Sequence, residues 1–261
     1  MIFNMKRSTY YAAIHIKPDK YESEKELIKQ IFHHHKGRYG YRRITVLVRR
    51  AGFTLNHKTV KRLMNELGLK SCVRPKKYHS YKGIEGKGFP NILQRNFKTT
   101  GFNEKWVTDV TEFNISGQRI YLSALIDLYN QEVISYTISH RPTLNFVCKM
   151  LSNVFEKYNN LKGLIIHSDQ GWHYRTERYT QMLKMKDVKQ SMSQKGNCLD
   201  NCIAENFFGL LKTEFYYMNK FSSVEELKKA LVEYIAYYNT ERIKIGLNGL
   251  SPIEFRAQYA A

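Results

Sequence analysis

The 261-residue chain is 43% hydrophobic and 13% aromatic, enough for one or two domains with real cores, and no run approaches the ~18–20 apolar residues of a membrane-spanning helix. Helical membrane proteins and wholly disordered chains are thereby excluded. Lysine and arginine number 42 against 23 acids, a formal net charge of +19, concentrated in residues 1–100 with 23 bases and 6 acids; residues 101–261 hold 19 and 17. Such a patch gains by releasing counterions from a polyanion, so nucleic acid is the expected partner rather than a membrane surface.

The opening MIFNMKRSTYYAAIHIKP lacks the apolar core and small-residue cleavage site of a secretory leader, so an intracellular setting is expected. Cys72, Cys148, Cys198 and Cys202 accordingly read as free thiols. Between Glu26 and Glu66 there is no carboxylate, whereas Lys29, Lys36, Arg38, Arg42, Arg43, Arg49, Arg50, Lys58, Lys61 and Arg62 all fall in that stretch. Leu27, Ile28 and Ile31 predict a helix over Glu24 to His35, and Ile44, Leu47 and Val48 predict a second from Tyr41 to Ala51. Gly52 ends it; Asn56 then caps a third helix whose buried stripe is Val60, Leu63, Met64 and Leu67, closed by Gly68. This is a helix-turn-helix pattern. It leaves His57, Lys58, Lys61, Arg62 and Asn65 off the apolar stripe, placed for phosphate and base-edge contacts. A small bundle with merely solubilising bases is the bland alternative. Residues 71–100, rich in Lys, Gly, Tyr and Pro without periodicity, read as a basic linker lying along DNA.

From residue 101 the pattern turns to strands. Lys105–Phe113, Arg119–Tyr129 and Glu132–Ser139 are β-branched and aromatic runs separated by turn residues, a three-stranded antiparallel meander. A helix over Thr143–Tyr158, a strand over Gly163–His167, a helix over Thr176–Lys186 and a strand over Val188–Met192 follow, then helices over Asp200–Tyr216 and Val224–Tyr238. The expected architecture is α/β: a mixed five-stranded sheet flanked by helices, preceded by a small all-α domain.

Three carboxylates carry the chemistry. Asp109 is mid-strand, where an uncompensated charge is costly unless a cation engages it; Asp169 closes a strand; Glu205 sits in the helix DNCIAENFFGLLKTEF, off a core stripe of Ile203, Phe207, Leu210 and Leu211. An isolated acid is more often a capping or ion-paired group, but three oxygen ligands from separate elements suit a hard dication such as Mg²⁺ or Mn²⁺. Two such ions can activate an attacking oxygen and stabilise a departing one in phosphoryl displacement. Lys212, seven residues and about 700° beyond Glu205, lies on nearly the same helix face and can hold a DNA phosphate, unless it is an ordinary exposed lysine. Among the rival acids, Asp127 reads as structural, Asp200 as a helix cap, and Glu112 as pointing to the face opposite Asp109.

Asp109, Asp169 and Glu205, with 35 residues between the last two and Lys212 beyond, resemble the D, D(35)E, K signature of retroviral integrases and bacterial insertion-sequence transposases. The strings WVTDVTEF, IIHSDQGWHY, KGNCLDNCIAENFFGLLKTE and YNTERIKIGLNGLSPIEFR, with GRYGYRRITVLVRRAGFTLNHKTVKRLMNELGLK upstream, are similar to one large insertion-sequence family over nearly the whole chain. The resemblance implies an RNase H-like fold, with residues 1–70 as a helix-turn-helix-like DNA-binding region and 101–261 as the catalytic core. It implies metal binding and catalysis by Asp109, Asp169 and Glu205, with two Mg²⁺ or Mn²⁺ ions. Expected DNA contacts are Lys212, Lys195, Asn197, Gln194, His167, Arg42, Arg43, Lys58, Lys61 and Arg62. Trp172 and His173 replace a more common small residue and Gln, and Cys202 a common Ala. Retroviral integrases carry a His-His-Cys-Cys zinc module; here His33, His34 and His35 are adjacent, Cys198 and Cys202 lack a second ligand pair, and no zinc is expected. The implied reaction is cleavage at element ends followed by strand transfer, on double-stranded DNA, by a homo-oligomer in the bacterial cytoplasm at the nucleoid. An upstream helix-turn-helix protein or fusion is a further implied partner. Two alternatives stay open: a metal-dependent nuclease that does not join, and a DNA-binding regulator without activity.

Overall fold

The computed structural model describes residues 19–73, 89–193 and 201–259 together with Arg7 and Tyr10. The chain divides into two compact units, Met1–Val73 and Arg74–Ala261. Among the described residues no helix is long and apolar enough to cross a membrane.

The first unit is built from α1 (Glu22–His34), α2 (Tyr41–Arg50) and α3 (His57–Glu66). Asn56 caps α3 by accepting the Lys58 N–H at 2.9 Å, as its position before the apolar stripe predicts. Ile28 and Phe32 of α1, Ile44 and Val48 of α2, and Val60, Leu63 and Met64 of α3 form the core. The stripes are one position narrower than expected: Leu27, Ile31, Leu47 and Leu67 are half-buried at the rim, and Phe32 and Thr45 take inner places. Arg38, counted with the basic stretch, is buried, and its carbonyl accepts the Ser71 hydroxyl at 3.2 Å. Ser71 and its neighbours therefore pack on this unit.

The second unit holds β1 (Lys105–Ile115), β2 (Gln118–Asp127), β3 (Val133–Ser139), α4 (Leu144–Lys157), β4 (Ile165–Ser168), α5 (Glu177–Lys184), β5 (Lys189–Met192), α6 (Cys202–Glu214), α7 (Val224–Thr240) and α8 (Pro252–Tyr259). The sheet order is β3-β2-β1-β4-β5, with β1–β2 and β2–β3 antiparallel and β1–β4 and β4–β5 parallel. Alternation along β1 sends Val107 and Phe113 toward α6 and α7, while Trp106 meets α4 and α5 on the other face. This is the RNase H-like sandwich of one mixed sheet between two helical layers, preceded by an all-α helix-turn-helix unit.

β2 ends at Asp127 rather than Tyr129, because the Asp127 carboxylate turns the chain: it accepts the N–H groups of Tyr129 at 2.7 Å and Asn103 at 2.9 Å, and the Trp106 indole at 3.2 Å. The expected linker is packed at its end, where Ile92 and Leu93 donate their N–H groups to Ser191 Oγ and Leu93 is buried. The stripe on α6 is Ala204, Phe207, Phe208 and Leu211, with Ile203 and Leu210 half-buried, and the helix stops at Glu214 because Phe215 leaves helical geometry at φ −134°. α8 went unforeseen, although its signal is a capping box: Ser251 Oγ accepts from Glu254 N–H at 3.3 Å, and the Glu254 carboxylate accepts the Ser251 N–H at 2.7 Å.

Candidate active site

The parallel register sets Val107 beside His167; Asp109 lies two residues further along β1 and Asp169 just past the end of β4, close enough for its charge to act on Asp109. They lie at the carboxyl end of the β1–β4 pair, where connections leave in opposite directions and open α/β sheets bind ligands. Asp109 shares the β1 face of Val107 and Phe113, the face that α6 covers, and α6 brings Glu205 in its first turn and Lys212 two turns later. The Lys212 ammonium stands 5.7 Å from the Phe113 ring centre.

Electrostatics tie the four groups together. Burial first, then the negative charges of Asp169 and Glu205, push the Asp109 carboxyl up to about 7; the Val110 N–H and the Lys212 charge act the other way. Glu205 is also raised, by partial desolvation and then by Asp169. Tyr174 is fully buried, and burial and the charges of Asp109 and Asp169 push its phenol above the ordinary range. Asp169 is held by a tight turn: its Oδ1 accepts the Gly171 N–H at 2.9 Å, and a Cβ on Gly171 would stand 2.9 Å from that oxygen. As the side chains stand, no three His, Cys, Asp or Glu among the described residues are gathered into a metal cage. What the fold supplies is three carboxylates in one repulsive field. An all-oxygen donor set of this kind fits a hard dication, whose charge relieves that repulsion.

The rival acids fall elsewhere. Asp127 is fully buried and bonded to three donors, a structural role, while Glu112 is exposed on the opposite face and pairs with Arg119 at 3.6 Å. Of the expected DNA contacts, Gln194, Lys195 and Asn197, like the Asp200 cap, lie outside the described residues. His167 is a correction: it is fully buried, its Nδ1 sharing a 2.9 Å hydrogen bond with Ser191 Oγ, because β4 is an inner strand covered on both faces.

In the first unit, Tyr41, His57, Lys58, Lys61, Arg62 and Asn65 line a cleft of about 400 Å³ on α2 and α3. Lys61 and Arg42 lie over the Tyr41 ring, at 5.7 and 5.6 Å, and His57 stacks against it. Arg62 is in the cleft but paired with Glu66, which Lys25 also holds at 2.8 Å, and Arg43 lies 5.2 Å over Tyr39.

Family models agree with this division. An integrase core domain matches residues 100–198, a second integrase core domain model matches 205–259, and an HTH-like domain matches 19–78. The chain is 53% identical over 254 residues to the putative transposase InsK for insertion sequence element IS150 of Escherichia coli (strain K12), covering 97% of this chain and 90% of that protein. It is 34% identical to the transposase for insertion sequence element IS904 of Lactococcus lactis, covering 93% and 98%. Its fold is similar to a chain of the simian T-cell lymphotropic virus intasome, solved with PP2A regulatory subunit B56 gamma, at a TM-score of 0.51 and 15% identity over 88% of this chain and 73% of that one. The chain belongs to the insertion-sequence transposases, enzymes of the polynucleotidyl transferase type built on an integrase core behind a helix-turn-helix-like domain.

Proposed function

We propose that Asp109, Asp169 and Glu205 hold two Mg²⁺ or Mn²⁺ ions and that the chain cuts DNA at the ends of its element and joins the freed ends to a target. The observation that carries this is the grouping of carboxylates from β1, the end of β4 and α6, in which burial first and then the charges of Asp169 and Glu205 push the Asp109 carboxyl up to about 7. When bound, the ions supply Lewis-acid activation of an attacking oxygen and charge stabilisation at the phosphorus. The chain's own groups do the rest. Lys212, on the Glu205 face of α6, meets a non-bridging phosphate oxygen; the turn at Gly171 fixes the Asp169 carboxylate; the cleft on α2 and α3 grips the duplex through Lys58 and Lys61, with Arg42 beside it over Tyr41 and Asn65 set to read a base edge. Residues 1–70 are the DNA-binding region, 71–100 the connection and 101–261 the catalytic core. The working form is a homo-oligomer on paired DNA ends at the bacterial nucleoid, aided by an upstream helix-turn-helix protein or fusion.

The test is nicking of supercoiled plasmid with Mg²⁺, Mn²⁺ or Ca²⁺ by the parent and by Asp109→Asn, Asp169→Asn and Glu205→Gln. Nicking supported by Mg²⁺ or Mn²⁺ and abolished by each substitution is expected. Nicking that survives all three refutes the assignment. Supplied 3′-hydroxyl ends must then appear joined to target; cleavage alone makes the chain a nuclease, and inertness with intact DNA binding makes it a regulator.

A further inference from the structure

Behind α6, on the side away from Glu205, lies a charged pair removed from water. Glu214 in the last turn of α6 and Arg242, just past α7, are each 1% exposed. Arg242 Nε donates to one Glu214 oxygen at 2.6 Å and its Nη2 to the other at 2.5 Å, a two-pronged fork, and the Tyr234 hydroxyl donates to the same carboxylate at 3.3 Å. The guanidinium lies 5.7 Å over the Tyr238 ring, whose hydroxyl donates to the Gln131 carbonyl at 3.0 Å and accepts from Lys244 at 2.5 Å. The fork is thus anchored through α7 to the turn between β2 and β3.

A pair this deep is a poor source of stability. Desolvating both charges consumes most of their attraction, and well-packed apolar replacements of similar volume are often neutral or better. What the fork supplies, and apolar packing does not, is a fixed angle. Two parallel hydrogen bonds in one plane define the rotation of α6 about its own axis. Glu205 is nine residues upstream, about 900° of helix, so it projects from the side opposite Glu214 while Lys212 stays on the Glu205 side. With side chains reaching about 5–6 Å from the helix axis, a rotation of ~15° carries the Glu205 carboxylate through ~1.4 Å. Misplacement of ~1 Å at a reacting centre is enough to cost about 10²-fold in rate.

We propose that Arg242 and Glu214 are positioning residues that set the rotation of α6 and so place the Glu205 carboxylate among the acids. The proposal rests on the reading of Glu205 as a metal ligand. It is tested in the full chain by the double substitution Glu214→Met with Arg242→Met, and separately by Arg242→Lys, which keeps the charge and removes the fork. Two readouts are taken: the rise in melting temperature on titrating Mn²⁺, and plasmid nicking. The double variant is expected to melt within a few degrees of the parent without metal, to need at least ~10-fold more Mn²⁺ for its half-maximal rise, and to nick about 10²-fold more slowly. Arg242→Lys is expected to move the Mn²⁺ response in the same direction, and it decides the matter if the double variant does not fold. A folded variant whose Mn²⁺ response and nicking match the parent overturns the proposal. Asp109→Asn and Glu205→Gln should show no Mn²⁺ response; if they respond like the parent, the acid-cluster reading fails and the positioning role with it.

Discussion

The basic face of the first unit yields a sharp prediction because the structure sorts its cations. Lys58 and Lys61 of α3 and Arg42 of α2 are exposed around the cleft, whereas Arg62 is neutralised by Glu66 and Arg38 is buried. Each phosphate neutralised on duplex DNA adds about −0.9 to the slope of log affinity against log salt. Three contacts give this unit a share of about −2.7, which between 50 and 200 mM salt lowers affinity about 40-fold. Substituting one of Lys58, Lys61 or Arg42 by Gln should flatten the slope of the full chain by ~0.9, leaving this unit's share near −1.8 and its loss over that range near 12-fold. Arg62→Gln should change the slope by less than about 0.3, because its charge is already spent on Glu66. The assay is fluorescence anisotropy of a labelled duplex of arbitrary sequence at four salt concentrations, without divalent metal. If Arg62→Gln flattens the slope as much as Lys61→Gln, the ion pair with Glu66 does not govern the face; if none of the three changes it, DNA is held elsewhere.

Gly171→Ala should reduce nicking by about 10²-fold with little change in melting temperature, since the added methyl meets Asp169 Oδ1 on one side and the immovable, buried Tyr174 ring on the other; unchanged nicking would refute the turn's role. Asp127→Ala leaves one buried and two half-buried donors without their acceptor and should cost about 3 kcal/mol, a fall of roughly 6–12 °C in the melting of the second unit by calorimetry. Burial, then the charges of His34, Arg38 and Arg43, hold the His35 imidazole down at about 4. As pH falls the unfolded chain therefore takes up this proton first, so stability present above about 6.5 is shed between there and about 4. Urea titration should show the first unit losing about 2 kcal/mol between pH 7 and pH 5, with His35→Gln removing that dependence.

The elements that were legible in the sequence are those whose signal is local. Asn56 before an apolar stripe, the β-branched runs of β1 to β3 and the placement of Asp109 on a strand, Asp169 just past one and Glu205 on a helix each need only a short window of chain. What escaped is decided by packing. Arg38 and His167 carry side chains that ordinarily face water, yet each sits at a position whose neighbours close over it, and nothing in either residue's own window announces the cover. α8 is the exception, since Ser251 and Glu254 at capping-box spacing were available to be read.

The same distinction separates the reacting groups from their support. The three acids proposed to share one chemistry sit on a strand, just past a strand and on a helix that short windows of chain predict, so they stand out in a bare sequence. The angle at which α6 presents Glu205 depends instead on a guanidinium 28 residues beyond Glu214, inside the packing of another helix. A candidate catalytic residue can therefore be read from one sequence while the residue proposed to aim it cannot. Replacing Glu214 and Arg242 together should accordingly look like a loss of metal binding rather than of fold.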